Sequence, residues 1–186
     1  MLAGLAWTLS HDAGASGIGE ARAAQSPTTT VASAVVAREG LVAAGNGRLT
    51  WFGIRAYDAR LWVEPGFRAD AYGRHRLALE LNYLRDFRGT DIARRSLQEM
   101  RRAGSITDAD AARWQEALQR LLPDVRAGDR ILGLHLPGRG AQFFVNGAPV
   151  GMVADARFAE LFFGIWLAPS TSAPDLREAL LASVGS

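Results

Sequence analysis

The segment from Phe143 to Val153, Phe-Phe-Val-Asn-Gly-Ala-Pro-Val-Gly-Met-Val, constrains this chain more than any other. Asn146-Gly147 takes up the positive φ angles that a tight turn between antiparallel strands requires, so two strands must meet there as a hairpin. Pro149 has no N–H to give to a ladder and places the start of the second strand at a sheet edge. Immediately afterwards, Phe158, Leu161, Phe162, Ile165 and Trp166 fall at i, i+3, i+4, i+7 and i+8. That spacing is one face of a helix, and so apolar a face has to be buried. Asp155 stands where a side-chain oxygen can cap the helix. Hairpin and helix together require a sheet that carries a helical layer.

The rest of the chain supplies the other strands and helices. Leu49 to Val63 is rich in aromatic and branched residues and stops at Pro65-Gly66, which reads as one long or bulged strand. Leu77, Leu79, Leu81 and Tyr83 alternate with Ala78, Glu80 and Asn82, the pattern of a half-buried strand. Leu132, Leu134 and Leu136 alternate in the same way with Gly133 and His135. Between those two strands, Asp91 to Ala103 reads as a helix with Ile92, Ser96 and Met100 on one stripe. Arg94, Arg95, Arg101 and Arg102 lie opposite, a face expected to be solvated. Gly104 ends it, and Trp114, Leu118, Leu121 and Leu122 give a second helix its buried side, completing a helical hairpin. Asp175 to Ala182 reads as a short closing helix. The reading is one α+β domain from about Val36 to the end.

Composition removes several classes of function. With 186 residues and 48% hydrophobic content, one domain with a real core is expected. The basic residues are all arginine, and 21 of them against 19 acids leave a net charge of only +2, which gives no support for a nucleic-acid partner. Cysteine is absent, so disulfides and thiolate metal sites are excluded. Three dispersed histidines without an H-E-x-x-H spacing give no metal site, and His75 and His135 are expected on the surface or on a strand face. No lysine means no Walker-type phosphate loop, and Gly45-Asn46-Gly47 reads as a turn because Thr50 stands where a third glycine belongs. No cofactor is expected. No later run reaches the ~18 apolar residues of a membrane span.

The first thirty residues read differently. Leu2 to Leu9 resembles the apolar core of a signal peptide, and Ala21-Arg22-Ala23-Ala24 offers a cleavage site before Gln25. Residues 1–30 are therefore expected to be a leader, either a degenerate signal peptide or a disordered tail, followed by a domain over 31–186. The corresponding location is periplasmic or secreted, with the cytoplasm as the alternative.

Arg48, Arg55, Tyr57, Asp58 and Arg60 form the most suggestive polar group, since arginine and tyrosine beside apolar residues can hold a carboxylate or phenolate in a greasy pocket. Strand parity puts Arg55 and Tyr57 on one face and Asp58 and Arg60 on the other. Arg48 joins either set only through a bulge near Gly53. The competing reading is a set of sheet-surface pairs, such as Asp58 with an arginine.

Four motifs carry a family resemblance: Gly47-Arg48-Leu49-Thr50-Trp51, Tyr57-Asp58-Ala59-Arg60-Leu61-Trp62, Phe144-Val145-Asn146-Gly147, and the helix from Phe158 to Leu167. Over about Val36 to Leu181 the chain resembles the bacterial chalcone isomerase-like family. The resemblance implies an open-faced β-sandwich, in which a large antiparallel sheet has helices packed on one face and a ligand cleft between them. It implies Arg48 as the family arginine that holds a phenolate or carboxylate, and Tyr57 where fatty-acid-binding relatives carry a tyrosine. The isomerase's tyrosine and asparagine at the helix after the second strand find no counterpart from Arg88 to Gln98, and Tyr83 and Asn82 lie earlier, on the strand. The expected ligand-binding residues are Arg48, Tyr57, Arg55 and Tyr83. The implied function is a non-catalytic binder of a fatty acid or similar apolar carboxylate or phenolic ligand. The alternatives are an intramolecular lyase of the chalcone–flavanone isomerase type, and a structural or interaction protein whose cleft is filled.

Overall fold

The computed structural model describes residues 27–51 and 53–184, with side chains left undescribed at 27–31 and 51. The expected signal core and cleavage site lie outside the described residues. Six strands form a single sheet in chain order: β1 (Val42–Trp51), β2 (Ile54–Val63), β3 (Leu77–Tyr83), β4 (Arg130–Leu136), β5 (Gly140–Val145) and β6 (Ala148–Val153). Every neighbouring pair is antiparallel. The hairpin β5–β6 turns at Asn146 (φ 48) and Gly147 (φ 86), as the Asn-Gly signal requires.

Helices α2 (Gly89–Ala103) and α3 (Asp108–Leu121) form the expected hairpin between β3 and β4, and α4 (Ala156–Leu167) and α5 (Pro174–Leu180) follow β6. Asp155 caps α4 by accepting from the Phe158 N–H at 3.0 Å, and also takes the Trp114 indole N–H at 2.9 Å. One side chain thus fixes the start of α4 against α3. Along α4 the expected stripe is buried, with Phe158 at 0% and Trp166 at 6% exposure. Phe158 stacks on Phe162, and Phe143 from β5 meets both rings edge-on. This aromatic block is the centre of the main core.

The opposite face of the sheet is not bare. Helix α1 (Pro27–Arg38), which spans the expected 30/31 boundary, lies against it, and Val35 and Val36 pack with Leu41, Ala78, Leu132, Leu134 and Phe144. The leucines of β4 therefore face α1. Gly133 and His135, on the other side of that strand, lie beneath α4. His135 is 1% exposed, its Nδ1 is 2.7 Å from the His75 carbonyl, and its ring meets Phe163 edge-on. Of the two placements expected for it, surface or strand face, His135 takes the strand face, here a buried one. With helices on both sides, β3 is buried on both faces except at Asn82 and is not the half-buried strand that alternation suggested.

Two further expectations are corrected at the first hairpin. Leu49 to Val63 is not one strand: β1 ends at Trp51 and β2, antiparallel to it, begins at Ile54, with Gly53 at φ 75 just before it, so this stretch holds the end of β1 and all of β2. Gly45-Asn46-Gly47 is not a turn but part of β1. A Cβ at Gly45 would overlap the carbonyls of Ala179 and Leu180, so the missing side chains let α5 lie directly on the strand.

Candidate functional site

The register of β1 against β2 decides where the arginines go. Arg48 pairs with Asp58 and Leu49 with Tyr57, and opposed residues of an antiparallel pair share a face. Arg48 therefore points to the α1 face, one residue out of step with Tyr57. There it forms a two-point ion pair with Asp58, Nε to Oδ1 at 2.6 Å and Nη2 to Oδ2 at 3.0 Å. The Arg48 hydrogen bonds hold the Asp58 carboxyl below its ordinary range, against an opposing effect of burial. A bulge does occur, but at Ala56: Thr50 pairs with Arg55, so Ala56 has no partner in β1. The bulge turns Arg55 away from Tyr57 and onto the Arg48 face, where it is exposed and its charge acts on Asp58. The structure does not bring Arg48 or Arg55 to Tyr57, which corrects the expected grip and matches its competing reading of a surface pair.

Tyr57 and Tyr83, by contrast, do come together. They pair across β2 and β3 on the helix side, with ring centroids 6.0 Å apart and edge-on, and Phe87 extends the row. Trp166 Nε1–H donates to the Tyr57 hydroxyl at 2.9 Å, tying α4 to β2. Burial pushes the Tyr57 hydroxyl up to about 12; the Trp166 hydrogen bond opposes this, and the charge of Glu99 adds to it. Burial raises Tyr83 as well. Both tyrosines are neutral at physiological pH.

The partners that sequence reasoning missed are on α2. Glu99 is only 8% exposed, and its Oε1 is 2.6 Å from Arg95 Nη2. Its Oε2 is buried without a hydrogen bond, with Arg102 Nε 3.7 Å away. The guanidinium side chains are about half exposed, at 53% for Arg95 and 54% for Arg102, so the cations sit on the water side and the carboxylate on the core side. Arg95 and Arg102 are thus more than members of a solvated face. The signal was present in the sequence: Glu99 lies three residues after Ser96 and seven after Ile92, on the apolar stripe itself. A carboxylate at such a position needs partners.

The site is a small polar group, Tyr57, Trp166 and Glu99, at the margin of an apolar layer. Leu49, Tyr57, Phe87 and Ile92 at its rim are partly exposed, while deeper side chains such as Leu61 and Phe143 fill the layer completely. Elsewhere, an open groove of about 830 Å³ is lined by polar side chains including Arg74, His75 and Glu160, and a cavity of about 10 Å³ lies under α1. Neither suits an apolar chain. Among the described residues no cluster of His, Cys, Asp and Glu could hold a metal, and no helix is long and apolar enough to cross a membrane.

An ordered six-stranded antiparallel sheet with four helices on one face and a polar group buried between the layers defines an α+β domain of the open-faced sandwich class. Residues 27–182 match the chalcone isomerase-like family, and the chain belongs to it. A protein of Haemophilus influenzae described as uncharacterized is 29% identical over 142 residues, covering 76% of this chain and 68% of the relative. The fold is shared with a fatty-acid binding protein of Arabidopsis thaliana, at a TM-score of 0.62 and 11% identity over 77% of this chain and 87% of that one.

Proposed function

We propose that this protein is a non-catalytic binder of a fatty acid or similar apolar acid, taken up between the sheet and the α2–α4 helices. The observation that carries the reading is the polar group of Tyr57, Trp166 and Glu99 in an otherwise apolar layer, reached from a partly exposed rim. An apolar tail gains by leaving water, while a few fixed polar groups set the position of its head. The fatty-acid binding protein with the same fold supports the ligand class. An intramolecular lyase needs a cation and several donors converging on one substrate. Here Arg48 and Tyr57 stand on opposite faces, so the cation and the tyrosine do not converge as ring closure requires.

A specific observation favours a second reading, that of a structural protein with a filled cleft. The layer behind Tyr57 is packed, so a tail has to displace side chains to enter. Native mass spectrometry of the purified protein, together with titration of decanoic acid, separates the two. Saturable binding or a co-purified apolar molecule is expected. Neither being found would overturn the binder reading in favour of the filled cleft.

A further inference from the structure

The two ends of the sheet differ in what they show to water. Because the strands follow one another in chain order, one end carries the β1–β2 hairpin, the loops flanking the α2–α3 pair and the β5–β6 turn, and the other carries the 64–76 connection and the 137–139 turn. At the first end Ile54 opens β2 with 49% of its surface exposed. It alternates with Arg55 and so lies on the helix side, the face of Leu49 and Tyr57. The apolar side of the sheet thus runs past the rim of the cleft to an exposed hydrophobe. In sequence that hydrophobe follows Trp51-Phe52-Gly53, residue types that suit a membrane interface.

Four arginines share this end. The Leu84 N–H donates to the Ala56 carbonyl at 2.9 Å, which brings Arg85 level with Arg55. Phe87 and Val125 exchange two backbone bonds, at 3.0 and 2.9 Å, and both pack toward the core. Their neighbours Arg88 and Arg126 therefore face water. All four arginines are exposed, and none forms an ion pair among the described residues. The acids of this end are held closer in: Asp86, Asp124 and Asp129 accept from the N–H groups of Ala127, Gly89 and Arg126, at 3.0, 2.8 and 2.7 Å. Their short side chains keep the negative charge at the backbone, while the longer arginines reach outward.

We propose that this end of the sheet docks on an anionic lipid surface, with the hairpin at Ile54 entering the interface and Arg55, Arg85, Arg88 and Arg126 meeting the headgroups. The proposal goes beyond the binder reading and does not depend on it, although the cleft rim at Leu49 and Tyr57 lies at the same end. An exposed hydrophobe gains only from an apolar partner, and a group of cations only from an anionic one. An acidic bilayer supplies both. A nucleic acid supplies only the second, and a second copy of this end would set arginine against arginine.

Co-sedimentation of the full chain with vesicles tests this, using phosphatidylcholine alone and an equimolar mixture with phosphatidylglycerol, at about 0.1 M salt. Wild type is expected to bind the mixed vesicles at least about tenfold tighter than the neutral ones, and to lose most of that margin at about 1 M salt. Two sets of variants are matched across the ends of the sheet. Arg88→Ala with Arg126→Ala should weaken binding about tenfold, whereas Arg74→Ala with Arg139→Ala, the same loss of charge at the other end, should leave it unchanged. Ile54→Asp should weaken binding about tenfold or more, and Val42→Asp, at a site 52% exposed at the other end, should not.

Equal loss in the two arginine pairs would overturn the proposal, because net charge alone would then account for binding. Ile54→Asp binding as wild type does would also overturn it, leaving an anion-binding surface without an anchor. No preference for the mixed vesicles would overturn it too, and would leave the binder reading intact. All the substituted side chains are exposed, so the variants are expected to fold, which circular dichroism checks. The wild-type comparison of vesicles and salt stands even where a variant fails to fold.

Discussion

The two faces of the sheet are made from the same kinds of residue and end with different chemistry. Toward α2–α5, four helices bury a continuous aromatic block, and two of the polar contacts within it are fixed hydrogen bonds, Trp166 to Tyr57 and Trp114 to Asp155. Toward α1, one helix covers a smaller apolar patch, and the remainder of that face carries ion pairs, Arg48 with Asp58 and Arg130 with Glu80. A cation on the first face would be costly without a partner, whereas on the second it is ordinary. The difference teaches that residue type near the first hairpin says little about function until the face is known.

The sharpest way to test the contrast is to remove one large side chain from each face. Phe158→Ala should cost about 3–5 kcal/mol and Leu134→Ala about 2 kcal/mol, the low end for a buried leucine because a single helix can settle onto the gap. Chemical denaturation measures both, and a larger loss at Leu134 would show that α1 covers the real core.

Asp155→Ala comes next, at about 1–2 kcal/mol for the lost cap. Burial alone would raise the Asp155 carboxyl, but hydrogen bonds from the Phe158 N–H and Trp114, with the Arg113 charge, bring it below its ordinary value. Its contribution is therefore present above the unfolded-state pKa of about 4 and is lost as pH falls through the lower folded value. The gap between variant and wild type should shrink in acid, and a gap independent of pH would contradict this.

Tyr57 titrates at the other end of the scale. Its raised pKa means that its contribution is whole below about pH 10 and is lost as pH rises toward 12. Tyr57→Phe should flatten the alkaline part of the stability profile. Trp166→Phe should cost about 1 kcal/mol through the lost hydrogen bond and push the Tyr57 hydroxyl still higher in an ultraviolet titration. Arg48→Ala should have the smallest effect, leaving the midpoint of unfolding close to wild type.

Much of the fold was legible because its strongest signals are local. Asn146-Gly147 needs nothing beyond its own backbone preference, and the α4 stripe declares its burial by spacing alone. The candidate site was half legible. Tyr83 could be placed with Leu77, Leu79 and Leu81 on one face of its strand by simple alternation, but that Tyr57 joins it follows only from the register of β2 on β3. Arg48 could not, because its face depends on counting through a turn and a bulge, and one residue of slip reverses every side chain. The unpaired Ala56 is what moved Arg55. Glu99 was in plain view on an apolar stripe, but Arg94, Arg95, Arg101 and Arg102 around it made the helix read as a solvated face.

The proposed binding reading puts the ligand's head on the helix side of the sheet, at Tyr57, and not at Arg48 on the opposite face. Titration of decanoic acid into wild type, Arg48→Ala and Tyr57→Phe tests this directly. Arg48→Ala should bind as wild type does, and Tyr57→Phe should bind about fivefold more weakly for the loss of one neutral hydrogen bond. Loss of binding in Arg48→Ala, with Tyr57→Phe unchanged, would contradict the account and place the site on the opposite face of the sheet.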